Sequence, residues 1–197
     1  MPDINRVAAR VWTGGDLPSH LGDQAMAAEV DELRAVGITH IIDNRLEWSD
    51  EDFVRRHAPE ITYVWNPQDD AGQAMPDSWF ERGVGAALGA LAQEGTQVLA
   101  HCHAGINRGP SMAYAILLAS GTSPVRALAA IRHARPIASI GYSLDALAWW
   151  QRTEGVPQAV AQRQRAAVVA WHERNGHGSL LRLTRQWLDD DADAAWD

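Results

Sequence analysis

Val98-Leu99-Ala100-His101-Cys102-His103-Ala104-Gly105-Ile106-Asn107-Arg108-Gly109-Pro110-Ser111 is the stretch on which the reading of this chain turns. It holds the protein's single cysteine, and Arg108 follows after five intervening residues. The run from Thr96 to Ala100 reads as a buried strand, and the apolar run from Met112 to Ala119 reads as a buried helix. Pro110 suits the first turn of that helix, where its missing N–H leaves no bond unmade. The local expectation is strand, tight loop, helix.

Working outward, residues 7–13 read as an edge strand ended by Gly14-Gly15. Residues 24–36 put Met26, Val30 and Leu33 on one face of an amphipathic helix ended by Gly37. Residues 38–43 are rich in β-branched side chains and predict a buried parallel strand; residues 61–65 predict a second, stopped by Asn66-Pro67. A surface loop spans 68–76. Asp77 or Ser78 would cap a helix carrying Phe80, Val84, Leu88 and Leu91 at helical spacing, with Gly95 beyond its end. Further helices are predicted near 124–133, 143–152 and 157–175. This alternation implies an α/β fold, a single domain with a central, mainly parallel sheet flanked by helices. Ligands in such sheets sit at the carboxyl ends of strands, where Cys102 falls. The expected organisation is a domain over 1–156 and a C-terminal helical extension over 157–197. That extension holds an amphipathic piece (Leu180, Leu183, Trp187) and a solvated acidic tail at 189–193.

The 197 residues are 46% hydrophobic and 21% charged, an ordinary globular balance. A net charge of −8 argues against nucleic acid or an anionic membrane as the main partner. No uninterrupted apolar run is long enough to span a bilayer, and Met1-Pro2-Asp3-Ile4-Asn5 lacks the features of a secretion signal. One cysteine permits no internal disulfide, so a cytoplasmic location is expected. The chain contains no lysine, and all 17 basic residues are arginines. That removes the residue required by phosphate-loop NTPases, kinases and Schiff-base enzymes. It also suggests a GC-rich bacterial genome, through coding bias.

The loop has what a phosphate ester needs. Backbone N–H groups at a helix start supply donors for phosphate oxygens, and Gly105 lets the chain turn inward. Arg108 would close the ring with a planar fork. The same donors would lower the pKa of Cys102 toward a thiolate placed for in-line attack.

The series His101, Cys102, Gly105 and Arg108 resembles the signature of the protein-tyrosine-phosphatase superfamily, His-Cys-x5-Arg. The wider pattern, over about residues 7–152, is similar to the dual-specificity branch, here of bacterial type. The resemblance implies no metal or other cofactor. It implies that Cys102 is the nucleophile and that the substrate's phosphate is bound by His103, Ala104, Gly105, Ile106, Asn107 and Arg108. It also implies a general acid on a loop about thirty residues upstream. Asp70, 32 residues before Cys102, matches this, with Asp69 as its rival. That branch carries a hydroxyl residue directly after the arginine to help the thiolate leave. Gly109 stands there instead, and Ser111 is the nearest substitute.

Other residues have plainer readings. His101 is expected to hydrogen-bond backbone and orient the loop; His103 stands at the pocket mouth, biasing substrate choice or doing nothing. Asn107 is expected to tie backbone, and Asp43 with Arg45 to form a structural ion pair. Trp149, Trp150 and Trp171 fit a core, whereas Trp65 leads toward the Asp70 loop. A zinc site at His101, Cys102 and His103 is disfavoured because successive strand side chains point to opposite faces. The implied substrate is phosphotyrosine in protein, with phosphoserine and phosphothreonine as further candidates, or a small phosphomonoester. The alternatives are phosphoinositide or RNA 5′-phosphate, or a non-catalytic phosphate-binding module. A monomer or weak dimer is expected. An accessible low-pKa thiolate would be open to oxidation.

Overall fold

The computed structural model describes residues 2–175. Two short strands open the chain, β1 (Ile4–Ala8) and β2 (Val11–Gly14), paired antiparallel. The single edge strand expected over 7–13 is therefore a hairpin. Its turn, Ala9-Arg10, carries none of the glycine or asparagine that tight hairpin turns favour, so the sequence shows no break there. A 3-10 turn (Ser19–Leu21) leads into α1 (Asp23–Ala35), which buries Met26, Val30 and Leu33 as expected.

β3 (His40–Arg45), α2 (Glu51–His57) and β4 (Thr62–Gln68) follow. α2 buries only Phe53 and Val54, too short a pattern to register as periodic. β4 does not stop at Asn66-Pro67. Asp43 lies opposite Trp65 while Arg45 lies opposite Gln68, so β4 bulges by one residue and continues. It is an edge strand, where a proline that donates nothing is tolerated. In α3 (Asp77–Leu91) no side chain caps the first turn, which begins after Pro76. Trp79, Phe80, Gly83, Val84, Ala87 and Ala90 face inward, and Leu88, expected inside, is exposed. The seam against the following central helix takes the small residues, since Met112 fills the space beside Gly83.

β5 (Val98–His101) is followed by four helices: α4 (Arg108–Ala119), α5 (Pro124–Ala134), α6 (Ser143–Thr153) and α7 (Gln158–Asn175). The sheet runs β1-β2-β5-β3-β4, and every pairing except β1 with β2 is parallel. Helices cover both faces. Val98 and Ala100 join the apolar cluster of α3 to α7, and Leu99 joins that of α1 and α2. This alternation makes β5 the spine of a three-layer α/β domain. Val168 and Trp171 of α7 belong to the larger cluster, as does Trp149. The expected amphipathic piece at Leu180, Leu183 and Trp187 and the acidic tail lie outside the described residues. Among the described residues no helix is long and apolar enough to cross a membrane.

Parallel strands bring their carboxyl ends to one edge of the sheet. Gly14, Arg45, Gln68 and His101 end β2, β3, β4 and β5 there. The loop from Cys102 to Asn107 crosses that edge.

Candidate active site

Cys102 leaves β5 directly under the start of α4 and is 2% exposed. Its sulfur is approached by the backbone N–H groups of Gly105, Asn107 and Gly109 and by the Arg108 charge. Gly105 makes the inward turn at φ +61°, and a side chain there would collide with the Arg135 guanidinium and the Gly14 backbone. The loop is thus folded as the sequence suggests, a ring of N–H donors at a helix N-terminus.

The state of the thiol differs from the expectation. Burial pushes the Cys102 thiol up, and the Gly109 N–H, the Arg108 charge and the Asn107 and Gly105 N–H groups only partly offset it. Part of the reason lies at Arg108. Its Nη1 and Nη2 donate to the two oxygens of Glu47 at 2.9 and 2.7 Å, so much of its positive charge is already matched. Nη1 also donates to the Gln68 carbonyl at 2.8 Å, a contact that exists because β4 continues past Pro67. Nε has no hydrogen-bond partner, and Asp70 Oδ2 lies 3.4 Å from it. The contact with Arg108 holds Glu47 down to about 2.

Asp70 stands over the loop. Its Oδ1 accepts from Asn107 Nδ2 at 2.6 Å and from the Tyr142 hydroxyl at 2.7 Å. Asp69 is exposed, and its Oδ1 accepts the Asp70 backbone N–H. The single oxygen of the Asn107 side chain accepts the Gly141 N–H at 2.6 Å, so this residue ties backbone, as expected, and Asp70 as well.

Of the two supporting residues, His101 departs from its expected role. The Ser111 hydroxyl is fully buried, and its oxygen accepts the Tyr142 N–H at 3.2 Å. A hydroxyl residue at 109 is itself resisted by packing, because a Cβ there would stand 3.0–3.1 Å from the backbone of Ala100, His101 and Cys102. His101 does not hydrogen-bond backbone: neither ring nitrogen has a hydrogen-bond partner, and Nε2 lies 3.6 Å from Asp43 Oδ1. Burial lowers its pKa and keeps the imidazole neutral. His103 is 59% exposed at the rim, its Nδ1 2.7 Å from Asp16 Oδ2 and its ring edge-on to Trp48.

Behind the loop, Arg45 and Asp43 form the expected ion pair. Trp65 is exposed and donates its indole N–H to the Arg45 carbonyl. Ala104 and Gly105 present carbonyls to the buried Arg135, which also binds Asp3 and Asn5 and so fastens the loop to β1. Sequence reasoning missed Glu47, Tyr142 and Arg135. None stands near a motif, and each acts through a partner tens of residues away.

The dual specificity phosphatase catalytic-domain model matches residues 20–146, which contain the loop, Asp70 and Tyr142. The chain belongs to that family. Among relatives of this phosphatase-family chain, human dual specificity protein phosphatase 26 is 30% identical over 118 residues, 56% of this chain and 51% of the relative. The chain thus spans about half the length of the curated relatives it matches. Among solved structures, human DUSP28 superposes with a TM-score of 0.62 at 19% identity, covering 78% of this chain and 97% of that one. A mouse putative dual specificity phosphatase complexed with zinc tungstate superposes with a TM-score of 0.61 at 24% identity, covering 82% and 92%. These likenesses confirm the α/β fold. The relatives named are mammalian, so they lend nothing to a bacterial origin.

Proposed function

We propose that the chain is a metal-independent cysteine phosphatase that hydrolyses phosphotyrosine, with phosphoserine and phosphothreonine as further candidate substrates. The observation that carries this is the convergence of three backbone N–H groups and Arg108 on the Cys102 sulfur, with Asp70 fastened over the same loop.

In this reading the Cys102 thiolate attacks phosphorus and forms the S–P bond. The P–O ester bond breaks as Asp70 gives its proton to the leaving oxygen. Water then attacks the phosphocysteine, its proton passes to the Asp70 carboxylate, and the S–P bond breaks to return the thiolate. The loop N–H groups and the open Nε edge of Arg108 hold the phosphoryl oxygens through both steps. Asp70 is favoured over Asp69 because it alone of the two contacts the loop.

A substrate carrying an inositol phosphate or an RNA 5′-end is disfavoured by Asp16, Glu47 and Asp70 around the pocket, with Arg108 the only arginine in the loop itself. A bacterial source and a cytoplasmic location rest on composition alone.

The test is hydrolysis of an aryl phosphate in EDTA by the wild type, Cys102→Ser and Asp70→Ala. Cys102→Ser should be inactive, and Asp70→Ala should lose about 10²–10⁴-fold, the usual worth of a general acid. Wild-type rates in Cys102→Ser overturn the mechanism; a crippled Asp69→Ala with a normal Asp70→Ala moves the acid.

A further inference from the structure

The carboxyl group of Asp70 is asymmetric in its surroundings. Oδ1 accepts two hydrogen bonds, from Asn107 Nδ2 at 2.6 Å and the Tyr142 hydroxyl at 2.7 Å, which uses both its lone pairs. Oδ2 accepts none and lies 3.4 Å from the unpartnered Arg108 Nε.

Neither donor on Oδ1 is free to reverse. The Asn107 amide is oriented by the Gly141 N–H, which donates to its oxygen, so the nitrogen faces Asp70 and can only donate. The Tyr142 oxygen already receives the Gly72 N–H at 3.2 Å, which leaves its own proton to point at Asp70. A proton on Oδ1 would meet a donor head-on.

We propose that the Tyr142 hydroxyl, together with the Asn107 carboxamide, restricts the transferable proton of Asp70 to Oδ2, the oxygen beside the open edge of Arg108. Tyr142 is then a positioning residue for the acid. This inference rests on the phosphatase reading above.

The rest of the fold holds Tyr142 for this task. Its ring is 1% exposed and meets Trp79 edge-on, and its backbone N–H is anchored on the buried Ser111 hydroxyl. The residue two before it, Ile140, is buried at φ +56°, a conformation costly for a β-branched side chain. That turn aims Gly141 at Asn107 and Tyr142 at Asp70. The buried Ser111 thus has a role, supporting the acid's positioner. Through Gly72 the same hydroxyl pins the loop that carries Asp70.

The discriminating measurement is kcat/KM of the wild type and Tyr142→Phe on two esters. Phenyl phosphate needs a proton on its leaving oxygen, whereas dinitrophenyl phosphate releases a stable anion without one. Tyr142→Phe should lose about 10- to 100-fold on phenyl phosphate and less than about threefold on dinitrophenyl phosphate, part of the 10²–10⁴ that a general acid supplies. Equal losses on both esters would mean the hydroxyl only supports the fold, and no loss on either would mean it does not orient Asp70. Both results overturn the inference and leave the phosphatase reading standing. A wild type that hydrolyses neither ester overturns that reading, and the inference falls with it.

Discussion

Two arginines are almost fully buried at the carboxyl ends of the sheet, and they are treated in opposite ways. Arg45, 0% exposed, is saturated. Its Nε and Nη2 each donate to Asp43 at 2.8 Å, Nη2 also reaches Asp50 at 2.6 Å and the Tyr63 oxygen at 3.3 Å, and Nη1 reaches Asp16 at 3.4 Å. Its flat face lies on Trp48. Burial alone would lower its pKa, but the hydrogen bonds and charge of Asp43 and the charge of Asp50 raise it instead. Arg108 is held on one side only, by Glu47 and the Gln68 carbonyl, and keeps a bare Nε edge toward Asp70 and the loop. Burial and ion pairing are common to both residues. What separates the structural arginine from the candidate phosphate-binding one is the donor edge left open.

The widest consequence falls on Arg45. Arg45→Met leaves Asp43 buried without its cation, and breaking a buried pair by removing one partner costs about 3–5 kcal/mol. Denaturant unfolding should show this loss; a variant as stable as the wild type would remove the contrast between the two arginines.

Arg108→Lys comes next. A point charge replaces the fork, and kcat/KM on an aryl phosphate should fall about 10²–10³-fold, the scale of losing a preorganised donor, with the melting midpoint little changed. A loss below tenfold would mean that the Nε edge does not grip phosphate.

The smallest effect concerns Glu47. With its carboxyl held down to about 2 from 4.5, its pairing with Arg108 adds stability that is fully present above pH 4.5 and fades as pH falls toward 2. Glu47 is 43% exposed, so solvent screens the pair and the effect is modest. The deficit in melting midpoint of Glu47→Gln relative to wild type should therefore shrink between pH 6 and pH 3. A deficit that grows toward acid would contradict the pairing.

Much of the fold was legible because its signals are local. β5, the loop and α4 lie in one contiguous run, and the helices α1, α5 and α6 carry their own apolar faces. The elements that escaped carry weak local signals. The β1–β2 turn has no turn residues, α2 has two buried side chains, and β4 continues through a proline because nothing pairs with its outer edge. At the site, Cys102, Arg108 and Gly105 stand out by spacing and residue type. His101 was expected to bond backbone, which its surroundings do not allow. Ser111 is drawn to Tyr142 by the start of α6, and His101 is enclosed where no partner reaches its nitrogens.

By itself the sequence determined the chemistry on offer: one thiol, a helix start rich in N–H donors, an arginine five residues on, and no lysine to support the rival mechanisms. Those properties reside in residue type and short spacing, which survive without coordinates. Tertiary structure alone decided how that chemistry is set. Glu47, Gln68, Asp70 and Tyr142 come from four different segments and meet only because parallel strands end at a common edge. Hydrogen bonds act over about 3 Å, so the state of the thiol, the open edge of Arg108 and the free oxygen of Asp70 were settled by which distant atoms the fold brings within that reach.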